Sequence, residues 1–147
     1  MIDWQWIVDN QGPIAALLWQ HTLLVAVSLF FGTVLTGVLI GLTLRWPASA
    51  PALLGLCGVL FTIPSLALFI LLIPFTGLSL TTSAIGLTLY SLLILLRNVV
   101  AGIEKLPSDV LESARALGYT RWYRFVDVEL HLIIPSLFAG LRIASVT

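Results

Sequence analysis

Long apolar runs make up most of this chain, and one long polar segment interrupts them in its last third. No residue from Pro13 to Leu44 carries a formal charge at pH 7. Further apolar runs follow, and a spanning helix needs about 20 such residues to cross a hydrocarbon core of about 30 Å. The pattern predicts an all-α, polytopic membrane helix bundle with spans near residues 17–44, 52–74, 78–96 and 132–147.

The last of these runs is shorter than a full span. Residues 132–147 cover about 24 Å at 1.5 Å per residue, less than the core thickness of about 30 Å. We therefore expect the chain to stop inside this fourth span, as a transmembrane domain truncated at its C-terminus would.

Proline divides the second predicted span. Pro64 lies near its middle and removes one helical hydrogen bond. In lipid the freed carbonyl needs a protein partner or water, and the hydroxyls of Thr62 and Ser65 are nearby. Two interpretations stay open: a simple kink, or a bend at Pro64 and Ser65 that lines a transport pathway.

Small residues recur in the first predicted span at spacings of four and five. Such residues allow membrane helices to approach closely, so we expect them to pack inside the bundle. They are Gly32, Thr33, Thr36, Gly37 and Gly41.

Most of the charged residues lie between Arg97 and Glu129. The distribution of Lys and Arg among short loops sets membrane orientation. The lead at residues 1–16 and the loop at 74–83 contain no Lys or Arg, whereas Arg45 and five basic residues of the polar segment lie on the other side. We predict that residues 97–131 are cytoplasmic and that the N-terminus is an extracytoplasmic lead.

Composition excludes several classes of function. The chain is 59% hydrophobic and 10% charged, with a mean hydropathy of +1.08, whereas soluble domains carry about 25% charged residues. Its formal net charge of zero offers no general attraction for nucleic acid. The sequence has no phosphate-binding glycine loop, metal-ligand spacing or nucleophile–base pattern. We expect no catalytic site, cofactor or metal.

Two short helices are predicted within the polar segment. Pro107 suits a first helical turn, and Asp109 near it favours the positive end of the helix dipole. Gly118 stands where a left-handed terminator belongs, and Thr120 can cap a second helix. The pattern indicates a rigid surface for docking on another protein.

The residues of this segment resemble the cytoplasmic signature loop of ABC importer permeases. That loop reads Glu-Ala-Ala, three residues, Gly, nine residues, then Ile-x-Leu-Pro, and its counterparts here are Glu112-Ser113-Ala114, Gly118 and Val128-Glu129-Leu130. His131 departs from the expected proline, whereas the later Pro135 is retained. Residues 63–77, 90–98 and 134–147 resemble the subfamily that imports glycine betaine, carnitine, choline and other osmoprotectants.

This resemblance covers about residues 17–147 and implies a type I ABC importer transmembrane domain in the bacterial inner membrane. The implied partners are a cytoplasmic ABC ATPase dimer, a second permease copy or a sister permease, an extracytoplasmic substrate-binding protein and the lipid bilayer. The resemblance assigns ATPase coupling to a set of residues in the loop: Glu112, Ser113, Ala114, Leu117 and Gly118.

Some alternatives stay open. The transported solute is either an osmoprotectant or an amino acid or other small solute, and a membrane assembly protein without transport is a different class. A secondary transporter usually needs ionisable groups within its spans, and the first three predicted spans have none. Arg142, in the last apolar run, either reaches the cytoplasmic interface by snorkelling or lies on the pathway.

Overall fold

The computed structural model describes residues 4–146, in which every regular element is a helix. The predicted all-α class is therefore confirmed for this part of the chain. Met1–Asp3 of the predicted lead and Thr147 of the predicted fourth span lie outside the described residues. The helices are α1 (Trp4–Asp9), α2 (Gln11–Arg45), α3 (Ser49–Thr62), α4 (Ser65–Thr76), α5 (Leu80–Glu104), α6 (Ser108–Ala116), α7 (Arg121–Arg124), a π-helical segment (Phe125–Glu129) and α8 (Leu130–Ala144).

Within residues 4–146, two single helices are long and apolar enough to cross a membrane. They are α2, with 35 residues, and α5, with 25 residues. At 1.5 Å per residue, α2 is about 52 Å long, so it exceeds a hydrocarbon core of about 30 Å. The α5 helix continues beyond Arg97, where the apolar run ends, so its last two turns extend into the segment predicted to be cytoplasmic.

The segment predicted as one span at residues 52–74 forms two helices. The axes of α3 and α4 differ by 94°, with the break at Ile63 and Pro64, and this angle is much larger than a simple proline kink. The Ile63 carbonyl accepts a hydrogen bond from the Tyr90 hydroxyl of α5. The partner at the break therefore comes from another helix, whereas the Thr62 hydroxyl donates to the Val59 carbonyl.

The α5 helix is the centre of the bundle and packs against α2, α3, α4 and α8. Leu95 and Leu96 are fully buried within it. Leu96 belongs to a core to which α2, α3, the π-helical segment and α8 each contribute. Its buried members are Ile40, Cys57, Leu92, Leu93, Leu96, Val99, Phe125 and Ile133.

Small residues allow α5 to approach its neighbours closely. On α2, every fourth residue from Ser28 through Gly32 and Thr36 is buried. A Cβ atom built on Gly32 would lie 2.2 Å from the Ser91 Oγ, closer than any real contact. The predicted packing role is confirmed for Gly32 and Thr36, whereas Gly37 faces open space.

Small residues also allow α5 and α8 to pack closely. A Cβ atom on Gly102 would lie 2.7 Å from Ser136, and one on Gly140 would lie 3.1 Å from the Asn98 Cβ. The outer surface of the bundle exposes large apolar side chains such as Leu66 and Phe75. Such a surface is suited to lipid.

We predict that Gly32→Val lowers the free energy of unfolding by about 1–3 kcal/mol, because the added side chain overpacks the contact with α5. Gly37→Val is the matched control and changes it by less than about 0.5 kcal/mol, because that position faces open space. Denaturant titration of the detergent-solubilised protein measures both values. Equal effects of the two substitutions would contradict the close approach of α2 and α5.

Candidate functional site

The polar segment is organised around α6 and a glycine that ends it. Pro107 occupies the N-cap position. Gly118 adopts a φ of +83°, which only glycine adopts readily. Its N–H donates to the Arg115 carbonyl at 2.9 Å, and the Tyr119 N–H donates to the Ala114 carbonyl at 3.1 Å. These two bonds form a Schellman motif, so the chain leaves α6 in a fixed direction.

The structure places three of the five residues predicted for ATPase coupling in α6 and the other two directly after it. Glu112, Ser113, Leu117 and Gly118 are exposed, and Leu117 is 76% exposed. Ala114 is 4% exposed and faces the rest of the chain. Leu117 lies just beyond the helix, which ends at Ala116.

A groove of about 340 Å³ separates α6 from the π-helical segment. The Tyr119 hydroxyl spans its rim and donates a 3.0 Å hydrogen bond to the Asp127 carboxylate. This hydrogen bond, together with the charge of the carboxylate, raises the pKa of the Tyr119 phenol, which therefore stays protonated. The groove is lined by Asp109, Val110, Ser113, Ala114, Leu117, Tyr119 and Val128.

The second predicted helix begins as expected but continues further. The Thr120 hydroxyl accepts a hydrogen bond from the Tyr123 N–H and caps α7. Helix α7 then passes through the π-helical segment into α8 without a break. His131 therefore lies inside a helix that has already begun, and a proline at this position would not mark its start.

An ion pair that was not predicted from the sequence joins the last residue of α7 to the last residue of the π-helical segment. The Arg124 Nε donates to the Glu129 Oε1 at 2.5 Å, and the Glu129 side chain is 3% exposed. The Leu130 N–H bonds to the Phe125 carbonyl, five residues back. This spacing brings side chains five apart onto one side. In a regular α-helix, residues five apart lie on different sides, so the sequence pattern does not predict this pair.

The second candidate site is a cavity of about 810 Å³ beside the break between α3 and α4. Pro64 and Ser65 both line it, whereas Arg142 does not and is exposed near the end of α8. The lining residues are His21, Val25, Ser28, Leu29, Phe61, Thr62, Ile63, Pro64, Ser65, Phe69, Leu87, Tyr90, Ser91, Ile94, Ala144, Ser145 and Val146.

Two of the aromatic rings that line this cavity contact each other edge to face. The ring centroids of Phe61 and Tyr90 are 5.6 Å apart, and their planes meet at 82°. Among residues 4–146, no group of three or more His, Cys, Asp or Glu side chains is placed to hold a metal ion. The cavity lining offers aromatic rings, hydroxyls and the imidazole of His21.

Apolar spanning helices, a polar segment outside the apolar core and an internal cavity define a polytopic membrane protein. Residues 33–147 match the family model described as "Binding-protein-dependent transport system inner membrane component". The chain therefore belongs to this family, the transmembrane domain of ABC importers, and is an inner-membrane protein.

Named relatives agree with this assignment. The osmoprotectant import permease protein OsmW of Salmonella typhimurium (strain LT2) is 36% identical over 96% of this chain and 68% of its own length. The carnitine transport permease protein OpuCB of Listeria monocytogenes is 35% identical over 94% of this chain and 63% of its own. The glycine betaine/carnitine/choline permease protein OpuCB of Bacillus subtilis (strain 168) is 30% identical over 93% and 63%.

The predicted resemblance to osmoprotectant importer permeases is thus confirmed. The chain spans 68% of the first of these relatives and 63% of the other two.

We predict that Arg124→Met destabilises the protein by about 3–5 kcal/mol, because it leaves the Glu129 carboxylate buried without its partner. The double variant Arg124→Met/Glu129→Met should recover much of this loss, since no charge then remains buried. Arg121→Met, at an exposed arginine nearby, is the control. Denaturant titration checks all three. A double variant as unstable as Arg124→Met would contradict the ion pair.

Proposed function

We propose that this chain is the membrane-spanning permease subunit of an ATP-driven importer for small osmoprotectants such as glycine betaine, choline and carnitine. The observation that carries the proposal is the exposed α6 helix with its glycine stop, in a chain whose relatives are named as permeases for these solutes. The chain itself has no catalytic role, and a separate ATPase hydrolyses ATP.

The α6 helix is the contact with the cytoplasmic ATPase dimer. Its exposed Glu112 faces the partner, and Ser113 and Leu117 are exposed along the groove beside it. Gly118 sets the angle at which α6 projects. Ala114 is buried, and its small side chain lets α6 lie close to Val128 across the groove.

Movement of α6 passes to the membrane helices through the π-helical segment. The Tyr119–Asp127 hydrogen bond and the Arg124–Glu129 ion pair both hold this segment. It continues directly into α8, which packs on α5 through Gly102 and Gly140. ATP-driven closure of the ATPase dimer thus shifts α8 against α5, and the bundle alternates between inward-open and outward-open states.

The solute crosses beside the break in the second predicted span. Interrupted helices commonly line substrate sites in transporters, because their freed backbone groups face a cavity. Pro64 and Ser65 occupy this position here. Arg142 lies outside the cavity lining, and we assign it to the surface of α8 rather than to the pathway.

The orientation follows from the basic residues. Residues 97–131 face the cytoplasm and the N-terminus is extracytoplasmic, because Lys and Arg favour the cytoplasmic side. A second permease copy or a sister permease completes the pathway, and an extracytoplasmic binding protein delivers the solute. Nucleic acid has no place in this function.

We expect Glu112→Lys to abolish co-purification with the partner ABC ATPase, because it reverses a charge on the exposed face of α6. Asp9→Lys, the same reversal at the opposite end of the protein, should leave co-purification intact. Affinity purification from membranes, followed by quantification of the ATPase, measures both. Retention of the ATPase by Glu112→Lys would overturn the assignment of α6.

A second substitution tests coupling. Gly118→Val should abolish ATP-driven uptake while the protein still inserts, because a branched residue at a φ of +83° costs roughly 1–2 kcal/mol and redirects α6. Gly55→Val, in open space on α3, is the control. Uptake and ATP hydrolysis are measured together in proteoliposomes. Uptake by Gly118→Val at the wild-type rate would exclude the role of the glycine.

A further inference from the structure

The cavity beside the α3–α4 break combines aromatic walls with an uncharged lining. Among the described residues, no Asp, Glu, Lys or Arg side chain lines it. Its volume of about 810 Å³ lies within the range of about 300–1,000 Å³ typical of small-molecule sites. A site without formal charge suits a solute whose own charges cancel, because a net ion would be left there without a counter-charge.

The rings supply the partner for a cationic group. Phe61 and Tyr90 make an edge-to-face contact at 82°, and both rings line the cavity together with Phe69. The faces of aromatic rings attract quaternary ammonium groups, which cannot donate hydrogen bonds. The Tyr90 hydroxyl is already engaged with the Ile63 carbonyl, and this bond fixes the position of its ring.

A hydroxyl that bonds to no described residue supplies the partner for an anionic group. Most hydroxyls of the lining donate to carbonyls of their own helices, including those of Ser91 and Thr62. Ser65 differs, because its side chain makes no hydrogen bond with any described residue. It can therefore donate to the carboxylate of a bound solute.

We propose that this cavity is a binding site within the membrane for net-neutral zwitterions, with a quaternary ammonium group against Phe61 and Tyr90 and a carboxylate at Ser65. The proposal deepens the proposed transport function and rests on it. It sets an order of preference: glycine betaine and carnitine, which are zwitterions, bind more tightly than choline, which is a cation.

Direct binding to the purified chain in lipid nanodiscs tests the proposal without the ATPase or the binding protein. Radiolabelled glycine betaine should bind saturably, and choline should compete about ten-fold less well. The isostere 3,3-dimethylbutyrate replaces the ammonium nitrogen by carbon, so it keeps the shape and the carboxylate but loses the cation. It should not compete. Equal competition by this isostere, or no saturable binding of glycine betaine, would overturn the proposal.

Substitutions locate the site. Phe61→Leu and Tyr90→Leu should each weaken glycine betaine binding by about ten-fold, since each removes one ring face. Tyr90→Phe keeps the ring and should retain most of the affinity. Phe75→Leu changes an exposed ring outside the cavity and is the control. Unchanged binding in Phe61→Leu and Tyr90→Leu would place the solute elsewhere.

The two proposals fail in different ways. If the proposed transport function is wrong, α6 does not bind the ATPase, whatever the nanodisc experiment shows. Failure of the cavity proposal would leave ATPase binding intact while glycine betaine binding is absent or indifferent to the rings.

Discussion

The close packing of α5 against its neighbours is the interaction on which the rest of this structure depends. The lipid tails around a membrane helix are as apolar as its side chains, so helix association relies on close contact and polar bonds between helices. Gly32 and Gly102 provide that contact at the faces toward α2 and α8, where a Cβ atom would clash. The Tyr90–Ile63 hydrogen bond provides the polar link to the broken pair. Helix α5 thus lines the cavity and also packs against α8, the helix through which we propose that the coupling motion reaches the bundle.

The polar segment is built for rigidity rather than for flexibility. A Schellman motif ends α6, a threonine caps α7, and the π-helical segment carries a buried ion pair. Buried ion pairs contribute little net stability compared with apolar packing, yet losing one partner is costly. The Arg124–Glu129 pair therefore favours one register of the segment, and that register fixes how α6 is joined to α8.

The local features of this protein could be predicted from its sequence, whereas those that require two helices could not. Gly118 and Thr120 signal the end of one helix and the start of another through their own backbone preferences, and both act as predicted. The 94° break exceeds what Pro64 alone implies, because Tyr90 of a distant helix meets the carbonyl at the break. The cavity likewise gathers residues from five helices and the residues that follow α8, and no single stretch of sequence contains its pattern.

Site-specific cross-linking tests most directly whether α6 receives force from a cytoplasmic ATPase. Leu117→Cys, in a chain whose buried Cys57 is replaced by serine, presents a thiol at an exposed coupling position. We expect a cross-link between this thiol and the ATPase in membranes, with a yield that changes when ATP is added. A thiol at Leu117 that labels instead from the extracytoplasmic side of intact cells would contradict it.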